Sequence, residues 1–237
     1  MQESKSRKML IFLDVETTGL EEKDMVCSIG IIALEENIKI YNLINEGKKI
    51  LPLASSINHI TNEMLKDKPK FENSEACTFL SKHNNENTTI VGHNIKFDLA
   101  MLKKSGFNFV GEIIDTLKGT KHLVSECEQF SLQFLRYELK LYRQEKEVLQ
   151  AHNALSDAII AKNLYEYLLE IQPKEKLAEL TFENVLISKF QFGKYNGRYI
   201  EEICMCDRGY LDWMLGSIID LDEDLRYSIE YYLDGVS

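Results

Sequence analysis

The sequence predicts an α/β fold, and two observations carry that prediction. Short apolar runs of strand length, bounded by turn residues, recur at Met9–Leu13, Val26–Leu34, Ile38–Ile44, the stretch opening at Thr88, and Gly111–Asp115. Between and after them lie segments whose apolar residues repeat at helical spacing: Glu72–Lys82, Ser131–Leu141 and His152–Ile171. A length of 237 residues accommodates one well-buried domain and a small appendage.

The first run ends in two acids. In MLIFLDVETTGL, Asp14 and Glu16 stand two residues apart, so a continuing strand aims both at one face, where they repel unless a cation intervenes. A hard divalent ion such as Mg2+ or Mn2+ suits carboxylate oxygen; an acidic strand end facing water is the alternative. Thr17-Thr18-Gly19 reads as a turn. Two further strands, joined through Glu35-Glu36-Asn37, suggest a meander. Pro52 breaks the strand pattern, and Thr61 reads as an N-cap for a helix at Glu63–Leu65. Glu72–Lys82 follows as an amphipathic helix through Ala76, Phe79 and Leu80.

TTIVGHNIKFDLAML, from Thr88 to Leu102, reads as a strand, a turn at Gly92 and a helix with Asp98 in its first turns. Asp98 there either complements the helix dipole or faces a cleft at the strand's carboxyl end. Ser131–Leu141 carries Leu132, Leu135 and Leu139 on one helical stripe. In HNALSDAIIAKNLYEYLLEI, His152 and Asp157 are five apart, too far to align on one helix. They either cap and charge the helix start, or His152 sits in a loop from which its ring reaches the cleft of Asp157. His83 and His122 belong to no motif and read as surface residues.

Composition places limits on function. At 44% hydrophobic and 28% charged residues, the chain is neither disordered nor membrane-spanning. MQESKSRKM leads directly into a strand rather than a signal-peptide core, and the five cysteines are scattered without zinc-site spacing, so a cytoplasmic protein with reduced thiols is expected. A net charge of -10 opposes tight binding of polyanions through the overall field, leaving that task to local charge and to metal at the acids.

Together, Asp14-x-Glu16, Asp98 in HNIKFD, and His152 with Asp157 in HNALSD resemble the three blocks of the DEDDh branch of the DnaQ-like (RNase T-like) 3'-5' exonuclease superfamily. The resemblance runs from about Met9 to Leu169 and takes in INHIT (Ile57–Thr61) and IIDT (Ile113–Thr116). It implies a ribonuclease H-like mixed five-stranded sheet flanked by helices. It also implies two Mg2+ or Mn2+ ions held by Asp14, Glu16, Asp98 and Asp157, with His152 as general base. A neutral imidazole is then required, so activity should climb with pH through a value of roughly 6.5 if the ring is unperturbed. By the same resemblance Thr17 and Leu20 hold and wedge the terminal nucleotide, with His93, Asn94 and Phe97 beside it; core packing is the alternative for Phe97.

After Gln172-Pro173 the charged stretch over 174–183 reads as a connection or a short helix between modules. The expected boundaries are a nuclease domain over 1–172, a linker over 173–184 and a C-terminal α+β module over 185–237. FGKYNG and YLDWML in that last segment resemble the small module of exonuclease X-like proteins. Lys194 and Arg198, with Tyr195 and Tyr199, are candidates for gripping a nucleic-acid strand, the alternative being a compact cap with Tyr210 and Trp213 in a miniature core. The expected partner is nucleic acid, with DNA preferred to RNA and no membrane, and the expected action is salt-sensitive and distributive. The rivals are an RNA-trimming exonuclease, a noncatalytic nucleic-acid-binding adaptor, and a proofreading subunit for which no polymerase segment is visible.

Overall fold

The computed structural model describes residues 8–235, so the N-terminal basic stretch weighed above lies largely outside the described residues. The chain divides into two compact units, one ending at Thr181 and the other beginning at Phe182.

In the first unit, β1 (Met9–Thr17), β2 (Val26–Ala33) and β3 (Ile38–Leu43) form an antiparallel meander. Helices α1 (Pro52–Asn58), α2 (Asn62–Leu65) and α3 (Glu75–Lys82) lead to β4 (Thr88–Gly92). Then come α4 (Ile95–Lys104), β5 (Glu112–Asp115), α5 (Thr116–Leu123), α6 (Leu132–Glu138), α7 (Ala154–Leu169) and α8 (Lys174–Leu180). The sheet order is β3-β2-β1-β4-β5, and β4 and β5 run parallel to their neighbours, giving the expected mixed five-stranded sheet. Pro52 opens α1 at its first turn, where a missing N–H costs nothing. The Thr61 hydroxyl accepts from the Met64 N–H, as its N-cap reading requires.

Alternation along β1 divides the core in two. Ile11, Leu13 and Val15 pack on one face with Phe71, Leu80, Met101 and Leu102 from the α3 and α4 side. Phe12 packs on the other with Leu135, Ala158, Leu164 and Leu168 from α6 and α7. Asp14 and Glu16 continue the Phe12 row. They therefore emerge on the face that α7 covers.

Gly30 controls how closely α7 approaches. It pairs with Asp14 across β1 and β2, and a Cβ added to it would lie 2.3 Å from the backbone of Ala154 and Leu155. Backbone cannot turn aside as a flexible side chain can. Gly30→Ala is therefore expected to destabilise the protein by about 1–3 kcal/mol in urea denaturation and to reduce activity by displacing the start of α7. An unchanged denaturation midpoint would contradict this close packing.

The charged stretch after Pro173 takes the short-helix form. Most of it is α8, whose Leu177 and Leu180 are buried in the α7-side core, and Thr181 accepts the Asp115 N–H at 2.8 Å. His83 is likewise not a free surface residue, since its ring packs on Phe79 at 4.7 Å.

The second unit holds α9 (Ile200–Cys206), α10 (Arg208–Ser217) and α11 (Glu223–Gly235) around Phe190, Ile203, Leu211, Met214 and Ile229. Among the described residues its β character is one bridge, Lys189 with Tyr199, which closes the FGKYNG turn. Trp213 is 53% exposed and stacks on Tyr210 from outside, so it does not form the miniature core considered above.

Candidate active site

The site forms at the carboxyl end of β1. Pairing between β1 and β4 ends at Phe12 and Val91, and beyond that point the Val15 N–H is taken by Asp98 Oδ1 at 2.8 Å. Asp98 is buried in the first turn of α4, so a carboxylate completes the edge of β1 where the neighbouring strand has ended. On the opposite face α7 delivers Asp157. Its N-cap, Asn153, accepts the Ser156 N–H at 3.1 Å and fixes the entry of the chain into the helix.

His152 precedes that cap in the left-handed backbone region, with φ of 57°. This conformation is uncommon outside glycine, though histidine is enriched among the exceptions. The structure brings one ligand atom each from Glu16, His152 and Asp157 within 4.8 Å of one another. A histidine five residues from the acid reaches it because it lies in the loop and not on the helix.

The electrostatics show what the cluster lacks. Burial pushes Asp14 well above the usual carboxylate range, and Asp98, Asp157 and Glu16 each push it further. Glu16 rises to about 7, first through burial and then through Asp157. Asp157 rises to about 6 through burial, held back by Gln133, by the backbone of His152 and Asn153, and by Arg136. Asp98 is also raised by burial, against the Val15 hydrogen bond. Four acids so placed are short of positive charge, and oxygen donors of this kind match a hard divalent cation. The residues fit the metal site expected of them.

Several expected substrate contacts are placed differently. His93 is turned inward: Nδ1 lies 3.0 Å from Thr116 Oγ1 and Nε2 lies 2.8 Å from the Phe130 carbonyl. Burial lowers its pKa to about 4, so it is a neutral strut with no ring nitrogen left for a ligand. Phe97 packs against the α4-side core. Asn94 is exposed, and its N–H donates to Asp115 Oδ1 at 2.9 Å. The Thr17 hydroxyl donates to the Gly19 carbonyl at 2.7 Å, whereas Leu20 stands 85% exposed just past β1.

In the second unit, Lys194 pairs with Asp207 at 2.9 Å, and Arg198 pairs with Glu202 one helical turn on. Both cations expected to grip a phosphate backbone thus stand in exposed ion pairs, which cost little to exchange for a phosphate.

One residue near the acids carries no motif signal. Gln133 Nε2 donates to Asp157 Oδ1 at 2.6 Å from α6, 24 positions away in sequence.

Comparison with known proteins gives the family. Residues 11–165 match the RNase T family, described as exonuclease, and residues 190–218 match the exodeoxyribonuclease X-like C-terminal family. The chain belongs to the RNase T exonuclease family, and its first unit has a ribonuclease H-like fold. Within that family it is similar to exodeoxyribonuclease 10 of Escherichia coli (strain K12), at 28% identity over 229 residues covering 95% of this chain and 99% of the relative. A solved structure of exonuclease X in complex with 5' overhanging duplex DNA aligns with a TM-score of 0.59 at 26% identity, covering 73% of this chain and 99% of that one. The nuclease domain of 3'hExo, a DEDDh family member bound to rAMP, shares the fold at a TM-score of 0.53 and 11% identity, covering 70% of this chain and 94% of that domain.

Proposed function

We propose that this 3'-5' exonuclease removes mononucleotides from DNA ends with two Mg2+ or Mn2+ ions per active site. The observation that carries the reading is the approach of Glu16, His152 and Asp157 within 4.8 Å, with Asp14 close enough to feel their charge and that of the buried Asp98. Asp14, Glu16 and Asp157 would hold the ions, with Asp98 at the edge of the site. Bound divalent ions supply charge neutralisation at the phosphate and a lowered pKa for the attacking water.

The protein's own contribution is then proton transfer and positioning. His152, exposed and held at the acids by its loop, accepts the proton of the attacking water at a ring nitrogen. Leu20 projects into solvent past β1, where an apolar side chain suits the face of a terminal base. DNA is favoured over RNA because both the full-length relative and the exonuclease X complex are named for DNA. Among the described residues no helix is long and apolar enough to cross a membrane, and five free thiols suit the reducing cytoplasm proposed as the compartment.

The test is digestion of matched 5'-labelled DNA and RNA oligonucleotides with Mg2+, with Mn2+ and with chelator. A metal-dependent ladder shortening from the DNA 3' end supports the reading, and preferential RNA digestion overturns the substrate. His152→Ala is expected to lower single-turnover cleavage by roughly 10^2- to 10^4-fold while leaving Mn2+ affinity intact. Loss of Mn2+ affinity in that variant would make His152 a ligand instead of a base.

A further inference from the structure

Asp157 is held by a polar chain that reaches well beyond the acids. Arg136, on α6, is 7% exposed and makes a two-point ion pair with Glu145, Nε to Oε1 at 2.7 Å and Nη2 to Oε2 at 2.6 Å. Its Nη1 faces Gln133 Oε1 at 3.3 Å. A guanidinium only donates, so the Gln133 carbonyl must face Arg136, which directs its amide N–H at Asp157. The opposite amide orientation would set donor against donor and acceptor against acceptor. The chain from Glu145 through Arg136 and Gln133 to Asp157 therefore runs in one direction, and its anchor is a buried ion pair.

We propose that Gln133 is a positioning residue for metal binding: by occupying Asp157 Oδ1 it fixes the carboxylate rotamer and leaves the other oxygen for a divalent ion. An unrestrained carboxylate among three like-charged neighbours would turn away from them in the metal-free protein. The fixed rotamer keeps Asp157 ready, so less ordering is required when the ion arrives. Gln133 touches neither ion nor substrate in this role. The inference rests on the metal-site reading above.

The test measures Mn2+ binding to the full-length protein by calorimetry and by the free-Mn2+ electron paramagnetic resonance signal. Gln133→Met keeps the side-chain length without hydrogen bonds, Gln133→Ala removes it, and Asp157→Asn is the reference. Both Gln133 variants are expected to bind Mn2+ about tenfold more weakly. Their circular dichroism in chelator and their KM for the oligonucleotide should be unchanged, and kcat should recover as Mn2+ is raised. Unaltered Mn2+ affinity in either folded variant overturns the role of Gln133. Unaltered affinity in Asp157→Asn would instead overturn the metal-site reading, so the two failures are distinguishable.

Discussion

Asp14→Asn is expected to lower 3'-end digestion of DNA by roughly 10^3-fold, since a metal-dependent centre supplies several kcal/mol of transition-state stabilisation. The same substitution should raise the melting temperature of the metal-free protein at pH 8. Asp14 is pushed well above the ordinary carboxylate range by burial and by Asp98, Asp157 and Glu16, so its ionised form is held at a cost that folding must overcome. Asparagine has nearly the same shape and no charge to desolvate. A purely structural acid behaves differently, because its replacement lowers stability and activity together. The expected signature is therefore a divergence, with turnover falling while stability in chelator rises. Turnover within tenfold of the unaltered protein would remove Asp14 from the reaction.

What the sequence made legible was whatever local spacing dictates. Asp14 and Glu16 lie two apart on a strand and must share a face, and β1 confirms the strand through Thr17. The helical start carrying Asp98 and the loop position of His152 could be weighed from turn and cap residues. Tertiary partners could not. Gln133 reaches Asp157 across 24 positions, and no periodicity links them. His93 looked available within its motif, but the Phe130 carbonyl and Thr116 occupy its ring. Gly30 reads as an ordinary strand residue until the α7 backbone is set against it.

Some signals were present and outweighed by composition. Glu202 stands four residues after Arg198, an ion-pair spacing that already argued against a free cation. Leu177 and Leu180, three apart in the charged stretch after Pro173, marked the buried face that decides for the short helix over a bare connection.

Metal and pH should act on stability through the same acids. Glu16 is moved from an ordinary value of 4.5 to about 7 by burial and then Asp157, and Asp157 from 3.8 to about 6 chiefly by burial. The folded state thus holds these protons more tightly than the unfolded chain does. Below about pH 4 both states are protonated and the acids impose no penalty. Between that value and about 7 the unfolded chain gives up its protons first, so the stability of metal-free protein falls as pH rises. A divalent ion reverses this by binding the ionised acids of the folded state only, adding about 2.7 kcal/mol when present at a hundred times its Kd. Calorimetric melting in chelator should therefore decline from pH 5 to pH 8, and Mg2+ should raise the melting temperature much more at pH 8 than at pH 5, where protons compete for the same oxygens. Other groups titrate over this range as well, so the decisive quantity is the difference from Glu16→Gln, in which the pH slope should be shallower and the Mg2+ gain smaller. Parallel melting curves for the two proteins across pH would mean that Glu16 neither holds an excess proton nor exchanges it for metal.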